Sequence, residues 1–379
     1  MFVRWSNLTL DADAQHRLPG YRDEAVVRRF DAPEALDMRF YEVRARSALN
    51  RVPGASPMPF RWTVNPYRGC AHACNFCFAR PTHTYLGFNA GRDFEREIVV
   101  KVNAPEVLRV ELARASWQGE HVALGTNTDP YQWVEGRYRL MVGIWEALRD
   151  ARGGVGNPCS VLTKSPLVLR DLPLLVAIAQ RTTFRASLSI PTLDERAWRA
   201  TEPHTPNPRA RLEAVAELNR AGIPTGVLIA PLMPGINDAP HQLEPLLQGA
   251  IDAGAKSIGG VALHLRGEVK DVFMEWLREQ RPELVERYEA LYRRGAYAPS
   301  EERARLAGLV RRGAPLQSRE QRGGSAGDRG EQLDWRGSAA RDRGEQPDRR
   351  GGAARDRGGR WSGLRPEATN APVRQPRLF

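Results

Sequence analysis

The run Asn65-Pro66-Tyr67-Arg68-Gly69-Cys70-Ala71-His72-Ala73-Cys74-Asn75-Phe76-Cys77-Phe78-Ala79-Arg80 decides how the chain is read. It sets Cys70, Cys74 and Cys77 in a Cys-x-x-x-Cys-x-x-Cys spacing directly behind a β-rich segment at 62–65. Three thiolates on one tight loop supply three corners of a four-iron cluster and leave the fourth iron open to a chelating ligand. A structural zinc wants a fourth protein ligand, and His72 or His83 would have to provide it. The chain holds four cysteines, three of them in this loop, which is the wrong distribution for a disulfide framework and the right one for a metal or cluster site in a reducing compartment.

Outward from the loop, short β-rich runs alternate with amphipathic ones. Strands are expected at 62–65, 121–125, 160–163, 183–190, 225–230 and 257–263, with helices between them at 104–116, 137–152, 172–180, 208–221 and 242–253. Strands separated by crossover helices imply an α/β fold with a parallel sheet whose site lies at the strands' C-terminal ends. Residues 1–61 carry Gly, Pro and charge with few clear periods and read as an N-terminal extension packed on a core at 62–295. A helical pair is expected at 268–294 and a last C-terminal helix within 296–312.

Composition bounds the rest. Of 379 residues 41% are hydrophobic, enough for a sizeable core, yet 27% are charged and the mean hydropathy is −0.49, which is polar for a chain folded throughout. No apolar run reaches the length of a membrane span, and Asp11 and Asp13 interrupt the start where a secretory signal would be apolar, so the expectation is a cytoplasmic protein with no membrane partner. The formal charge is +11, and Arg outnumbers Lys 52 to 4. Coding bias accounts for much of that ratio, but guanidinium groups fork phosphates whatever their origin, so nucleic acid is a candidate partner.

Residues 313–379 hold 14 Arg against 9 acidic residues, with Asp328-Arg329-Gly330-Glu331-Gln332 returning as Asp342-Arg343-Gly344-Glu345-Gln346. These units lack an apolar face to stack, so the stretch reads as a disordered Arg/Gly/Asp-rich tail. Its end, Gln375-Pro376-Arg377-Leu378-Phe379, resembles the short Gln-x-x-Leu-Phe peptide that docks on the replication sliding clamp.

The cysteine spacing, with aromatic Phe76 just before the last Cys, resembles the signature of the radical S-adenosylmethionine (radical SAM) superfamily. The stretches Gly125-Thr126-Asn127-Thr128-Asp129-Pro130-Tyr131-Gln132, Thr163-Lys164-Ser165-Pro166, Ser187-Leu188-Ser189-Ile190 and Ala230 to Asp238 follow one another as in its spore photoproduct lyase-like, or DNA repair photolyase-like, branch. The likeness runs over roughly 48–295. It implies a partial (β/α)6 TIM-like barrel and a 4Fe-4S cluster on Cys70, Cys74 and Cys77. The open iron would bind S-adenosylmethionine (SAM), and an electron from an unidentified donor would cleave it to a 5'-deoxyadenosyl radical that takes a hydrogen atom from substrate.

Carried over by position, Phe76 would pack near the adenine. Backbone groups of Gly125, Thr126, Asn127 and Thr128 would meet the methionine amino group. Lys164, Ser189 and Arg211 would meet carboxylate or ribose. Plainer roles stand beside these: Phe76 as core, Lys164 as a solvated strand end, Arg211 in surface pairs with its helix neighbours. Asp129 and Tyr131 stand as candidate catalytic residues, although Asp129-Pro130 also reads as a turn. Tyr67, Arg68 and His72 flank the loop and would tune the cluster.

One departure matters. Spore photoproduct lyases carry a cysteine after the second strand that returns a hydrogen atom to product, and Gly125 to Gln132 holds no thiol. The expected function is therefore a radical SAM enzyme with an unidentified substrate, nucleic acid being a candidate. A DNA-lesion lyase is the alternative in the same branch, and a zinc-stabilised nucleic-acid-binding protein the alternative from another class.

Overall fold

The computed structural model describes residues 10–17, 24–30, 37–54, 56 and 58–313. The tail at 314–379, with its sliding-clamp-like end, lies outside the described residues. Among the described residues twelve strands form: Leu10–Arg17 (β1), Glu24–Phe30 (β2), Arg39–Val43 (β3), Leu49–Arg51 (β4), Trp62–Val64 (β5), Tyr67–Arg68 (β6), Glu97–Lys101 (β7), Val122–Leu124 (β8), Cys159–Thr163 (β9), Phe184–Ser189 (β10), Thr225–Leu232 (β11) and Ile258–Ala262 (β12).

Six of them, in the order β12-β11-β10-β9-β8-β5, run parallel, and β4 adds an antiparallel edge to β5. Helices Ala104–Leu112, Leu140–Asp150, Leu172–Ala179, Pro208–Arg220 and Pro240–Asp252 cross between successive strands. Each strand sends alternate side chains to one face, so Val64, Val122, Val161, Leu188 and Val227 meet Ile144, Trp145, Leu175, Ile178 and Leu218 from the helices in one core. Burying each such aliphatic chain contributes about 1.5–3 kcal/mol. Asn207 opens the helix Pro208–Arg220 by accepting the Arg209 amide at 2.8 Å, with proline at the first position. Beyond β12 come Val269–Gln280, Val285–Leu291 and Ser300–Gly313, and Val310 of the last helix packs within reach of Gly260. The six expected strands and their crossover helices are all present. Among the described residues no helix is long and apolar enough to cross a membrane.

The N-terminal segment holds more order than its sequence implied. Strands β1, β2 and β3 join β7 and β6 in a second sheet of order β1-β2-β3-β7-β6. β7 was not expected as a strand because its Glu-Ile-Val-Val-Lys run shows no alternation. It is buried on both faces: Ile98 and Val100 enter the main core, while Val99 packs with Ala25, Val27, Tyr41 and Val43. Its buried first residue, Glu97, accepts the Tyr41 hydroxyl at 2.9 Å and the Arg39 Nε at 2.8 Å.

The last residue of β7, Lys101, is 5% exposed. Burial, aided by Arg68 and opposed by Glu111, brings its pKa down from 10.5 to about 7. Between those two values the unfolded chain holds a proton that the folded chain does not, so stability from this group rises with pH across the window. Lys101→Met should therefore stabilise the protein by a few kcal/mol near pH 6, with the gain shrinking toward pH 10. Urea midpoints measured across that range check it, and parallel curves for the two proteins would contradict it.

Candidate active site

Directly after β5 and β6 the chain turns at Gly69 (φ 77°), where an added Cβ would lie 2.8 Å from the Phe94 carbonyl oxygen. Only glycine fits that turn. The Cys70 amide donates to the same oxygen at 2.9 Å, fixing the start of the cysteine loop. Arg80 pins the remainder. Its guanidinium is wholly buried and donates to the carbonyl oxygens of Cys74 (3.0 Å), Ala90 (3.0 Å) and Gly91 (3.0 Å) and to Glu95 (2.5 Å). These contacts hold the loop without using its sulfurs.

All three thiols are electrostatic neighbours of one another. The amides of Asp129 and His72 point at the Cys70 sulfur, and those of Ala79 and Arg80 at the Cys77 sulfur. Burial pushes the Cys70 thiol up to about 12 and the Cys74 thiol well above its ordinary value. Iron has to displace those protons, and the amide donors stabilise sulfur once it is anionic. This donor set fits a 4Fe-4S cluster with three protein ligands.

The zinc alternative needs His72 or His83 as its fourth ligand. His72 is buried with Nδ1 3.5 Å from Asp129 Oδ2, and neither ring nitrogen has a hydrogen bond. His83 meets the Glu97 carbonyl oxygen at 2.9 Å and stacks on Phe88. Among the described residues no three His, Cys, Asp or Glu side chains gather closely enough to hold a single metal ion.

Gly125, Thr126, Asn127 and Thr128 follow β8 and are stitched to the cysteine loop. Asn65 Oδ1 accepts the Asn127 amide at 3.2 Å and the Thr126 hydroxyl at 3.3 Å, and the Thr128 hydroxyl donates to the Gly69 carbonyl oxygen at 2.7 Å. Buried Gln132, which sequence reasoning passed over, accepts the Ala71 amide at 3.0 Å. At Gly125 (φ 83°) a Cβ would stand 1.9 Å from the backbone oxygen of Leu162 in β9. Gly125→Ala should therefore cost about 3 kcal/mol or more, from left-handed strain and from parting two strand ends. An unchanged urea midpoint would show that the backbones are not this close.

The two candidate catalytic residues stand in different surroundings. Tyr131 is fully buried, its hydroxyl donating to Asp171 Oδ2 at 2.9 Å and receiving the Trp145 Nε1–H at 2.6 Å. Asp129 works as a loop staple, accepting the Thr163 hydroxyl at 2.6 Å and the amides of Lys164 and Tyr131 at 2.7 and 2.9 Å. Both residues were singled out because polar groups after a strand end often line a site; Asp129 does stand beside Cys70, whose sulfur its amide meets, while the burial of Tyr131 cannot be seen in sequence.

Lys164 and Ser189, at the ends of β9 and β10, meet: Lys164 Nζ lies 2.9 Å from Ser189 Oγ and 5.4 Å from the centre of the Phe76 ring. Phe76 also packs with Cys74, Met233, Leu263 and Leu265. Lys164 is no solvated strand end, because Nζ pairs at 2.6 Å with Glu202, a residue that no motif had marked. Glu202 is wholly buried, 2.9 Å from Arg211 and 4.0 Å from the Cys74 sulfur. Burial alone would raise the Glu202 carboxyl, but Arg211 and Lys164 hold it below the usual carboxylate range. Burial pulls Lys164 down, and Glu202 and Cys74 more than offset it.

Arg211 makes no surface pairs. It is fully buried and donates to Glu202, to the carbonyl oxygens of Ser189 and Pro206 at 2.9 Å each, and to the Thr205 hydroxyl at 2.5 Å. Its place is behind Glu202, which it holds. The strand ends thus bring the three thiols, a lysine, a serine hydroxyl and an apolar ring to one end of the parallel sheet.

Comparison with known proteins agrees with this arrangement. The family model of the radical SAM superfamily matches residues 64–244. An uncharacterised protein of Mycobacterium tuberculosis is 48% identical over 299 residues, covering 79% of this chain and 86% of the relative. An uncharacterised protein of Methanocaldococcus jannaschii is 26% identical over 202 residues, 53% of this chain and 70% of that one. Among solved structures, spore photoproduct lyase complexed with dinucleoside spore photoproduct superposes with a TM-score of 0.51 at 18% identity, over 72% of this chain and 78% of that one. A variant of the same lyase with bound S-adenosylmethionine and dinucleoside spore photoproduct gives 0.52 at 17% identity over the same shares. The chain belongs to the radical SAM superfamily of enzymes and has the fold of spore photoproduct lyase.

Proposed function

We propose that this enzyme holds a 4Fe-4S cluster on Cys70, Cys74 and Cys77, cleaves SAM reductively and abstracts a hydrogen atom from a nucleic-acid substrate. The observation that carries the reading is the prebuilt cysteine loop facing Lys164 and Ser189 at the C-terminal end of the parallel strands. The bound cluster supplies an electron from an external donor, and SAM supplies the 5'-deoxyadenosyl radical. The chain's own residues bind, orient and shield. Lys164 Nζ and Ser189 Oγ present a cation and a hydroxyl to a carboxylate or ribose, with Glu202 and Arg211 fixing the lysine's position. Backbone groups of Gly125 to Thr128 offer themselves to the methionine amino group, held in place by Asn65. Phe76 gives the adenine an apolar face, and its burial with Met233 and Leu263 keeps water from that side.

Nucleic acid is favoured as substrate by the formal charge of +11 and by the dinucleoside ligand of the lyase that shares the fold. The narrower reading, a thymine-lesion lyase, has less support. The loop from Gly125 to Gln132 lacks a thiol, and the phenol of Tyr131 is held between Asp171 and Trp145. The deciding experiment is anaerobic: brown protein, reduced chemically in the presence of SAM, is expected to release methionine and 5'-deoxyadenosine. Colourless protein containing zinc, with SAM intact after reduction, would reject the proposal.

A further inference from the structure

Beside the cysteine loop lies a surface that the cluster and SAM leave unused. Phe78, the residue after Cys77, is 52% exposed, and Tyr297 is 48% exposed. Large aromatic rings this open on a soluble surface are uncommon next to a reaction centre, and these two are lined up. The His264 ring stands between them, its centroid 5.8 Å from that of Phe78 and 5.7 Å from that of Tyr297. The row is built by the backbone. Past the end of β12 the chain pairs His264 with Tyr297 in an antiparallel bridge, and the Leu265 amide donates to the Ala296 carbonyl oxygen at 2.7 Å. Cys74 and Phe76 pack against Leu263 and Leu265 of the same segment, so the row and the cysteine loop share one wall.

Charge completes the pattern. The guanidinium groups of Arg266 and Arg303 each stand 6.0 Å from the centre of the Tyr297 ring. Among the described residues neither forms an ion pair with a carboxylate, although ten or more other arginines do. His264 Nδ1 and Arg303 Nε are buried with no hydrogen-bond partner, and such groups are seldom left so unless a ligand or water completes them. Burial, with Arg266 adding to it, lowers the His264 pKa.

Three rings in a row with unpaired guanidinium groups on their flank match what an unstacked nucleobase needs: a π-face to lie on and cations for the phosphates on either side. We propose that Phe78, His264 and Tyr297 form a stacking platform for one base of a single-stranded or locally opened nucleic acid, with Arg266 and Arg303 engaging the adjoining phosphates. The inference deepens the nucleic-acid reading of the enzyme and rests on it. The platform holds the strand beside Cys77, at the end of the sheet where the hydrogen atom is taken.

Fluorescence anisotropy with the full-length, anaerobically purified protein and a labelled single-stranded DNA oligonucleotide tests it. Tyr297→Ala and Phe78→Ala should each weaken binding about five- to a hundredfold, the range of one base stack. An abasic oligonucleotide of equal length should bind wild type and Tyr297→Ala alike. Arg266→Gln should flatten the dependence of log affinity on log salt by roughly 0.7, one phosphate contact on a single strand. Circular dichroism confirms that the exposed substitutions leave the fold intact. Strand affinity that survives both aromatic substitutions overturns the platform and leaves the nucleic-acid reading standing. Absence of binding to wild type overturns that reading and the platform with it, while release of 5'-deoxyadenosine from SAM reports separately on the radical chemistry.

Discussion

Cys74→Ala is expected to leave the anaerobic column colourless, with iron near background and no 5'-deoxyadenosine formed on reduction with SAM. Two thiolates cannot hold three corners of a cluster, and among the described residues no neighbouring His, Asp or Glu joins them as a metal-binding group. The fold should survive. Cys74 is small and buried, and removing its sulfur costs at most about 1–2 kcal/mol, while the loop's anchors, Arg80 and the Cys70 amide, are untouched. The expected result is therefore a folded protein without chemistry, read by circular dichroism alongside iron analysis. Wild-type iron content in this variant would falsify the assignment of Cys74 as a ligand.

The second large effect is on stability. Glu202→Gln keeps the side chain's volume and deletes its charge, leaving Lys164 and Arg211 facing each other in a buried space without a counter-ion. Breaking a buried pair by removing one partner costs about 3–5 kcal/mol, which lowers the melting temperature by roughly 5–15 °C. The double variant Glu202→Leu with Arg211→Met should lose less than Glu202→Gln alone, because the uncompensated guanidinium disappears with its partner. A Glu202→Gln protein that melts with wild type would mean that solvent reaches this cluster. Cluster loading is a second readout, since Lys164 is an electrostatic neighbour of the Cys74 sulfur.

What sequence reading could reach follows from what is local. The parallel strands announce themselves because each is a short run with apolar residues, closed by a turn and followed by a helix with apolar residues on one stripe. The cysteine loop announces itself by spacing alone. β7 did not, since a strand covered on both faces loses the alternation that marks one covered on a single face, and β1 carries only Leu and Ala at its apolar positions. Glu202, Gln132 and Arg80 were illegible for another reason. A charged or amide side chain reads as surface until the tertiary partners that justify its burial are known, and those partners lie as far as 128 residues away in the chain, as Glu202 and the Cys74 sulfur do. Tyr131 failed in the opposite direction: a hydroxyl that looked available is consumed by Trp145 and Asp171 inside the core.

Because Arg80 and Gly69 anchor the cysteine loop through backbone carbonyl contacts, that segment has supports that do not pass through its sulfurs. Small zinc modules collapse when stripped, whereas this mould would outlast its contents. Oxygen damage would then empty the site without erasing it, and the same polypeptide would be ready for repair by fresh iron and sulfide.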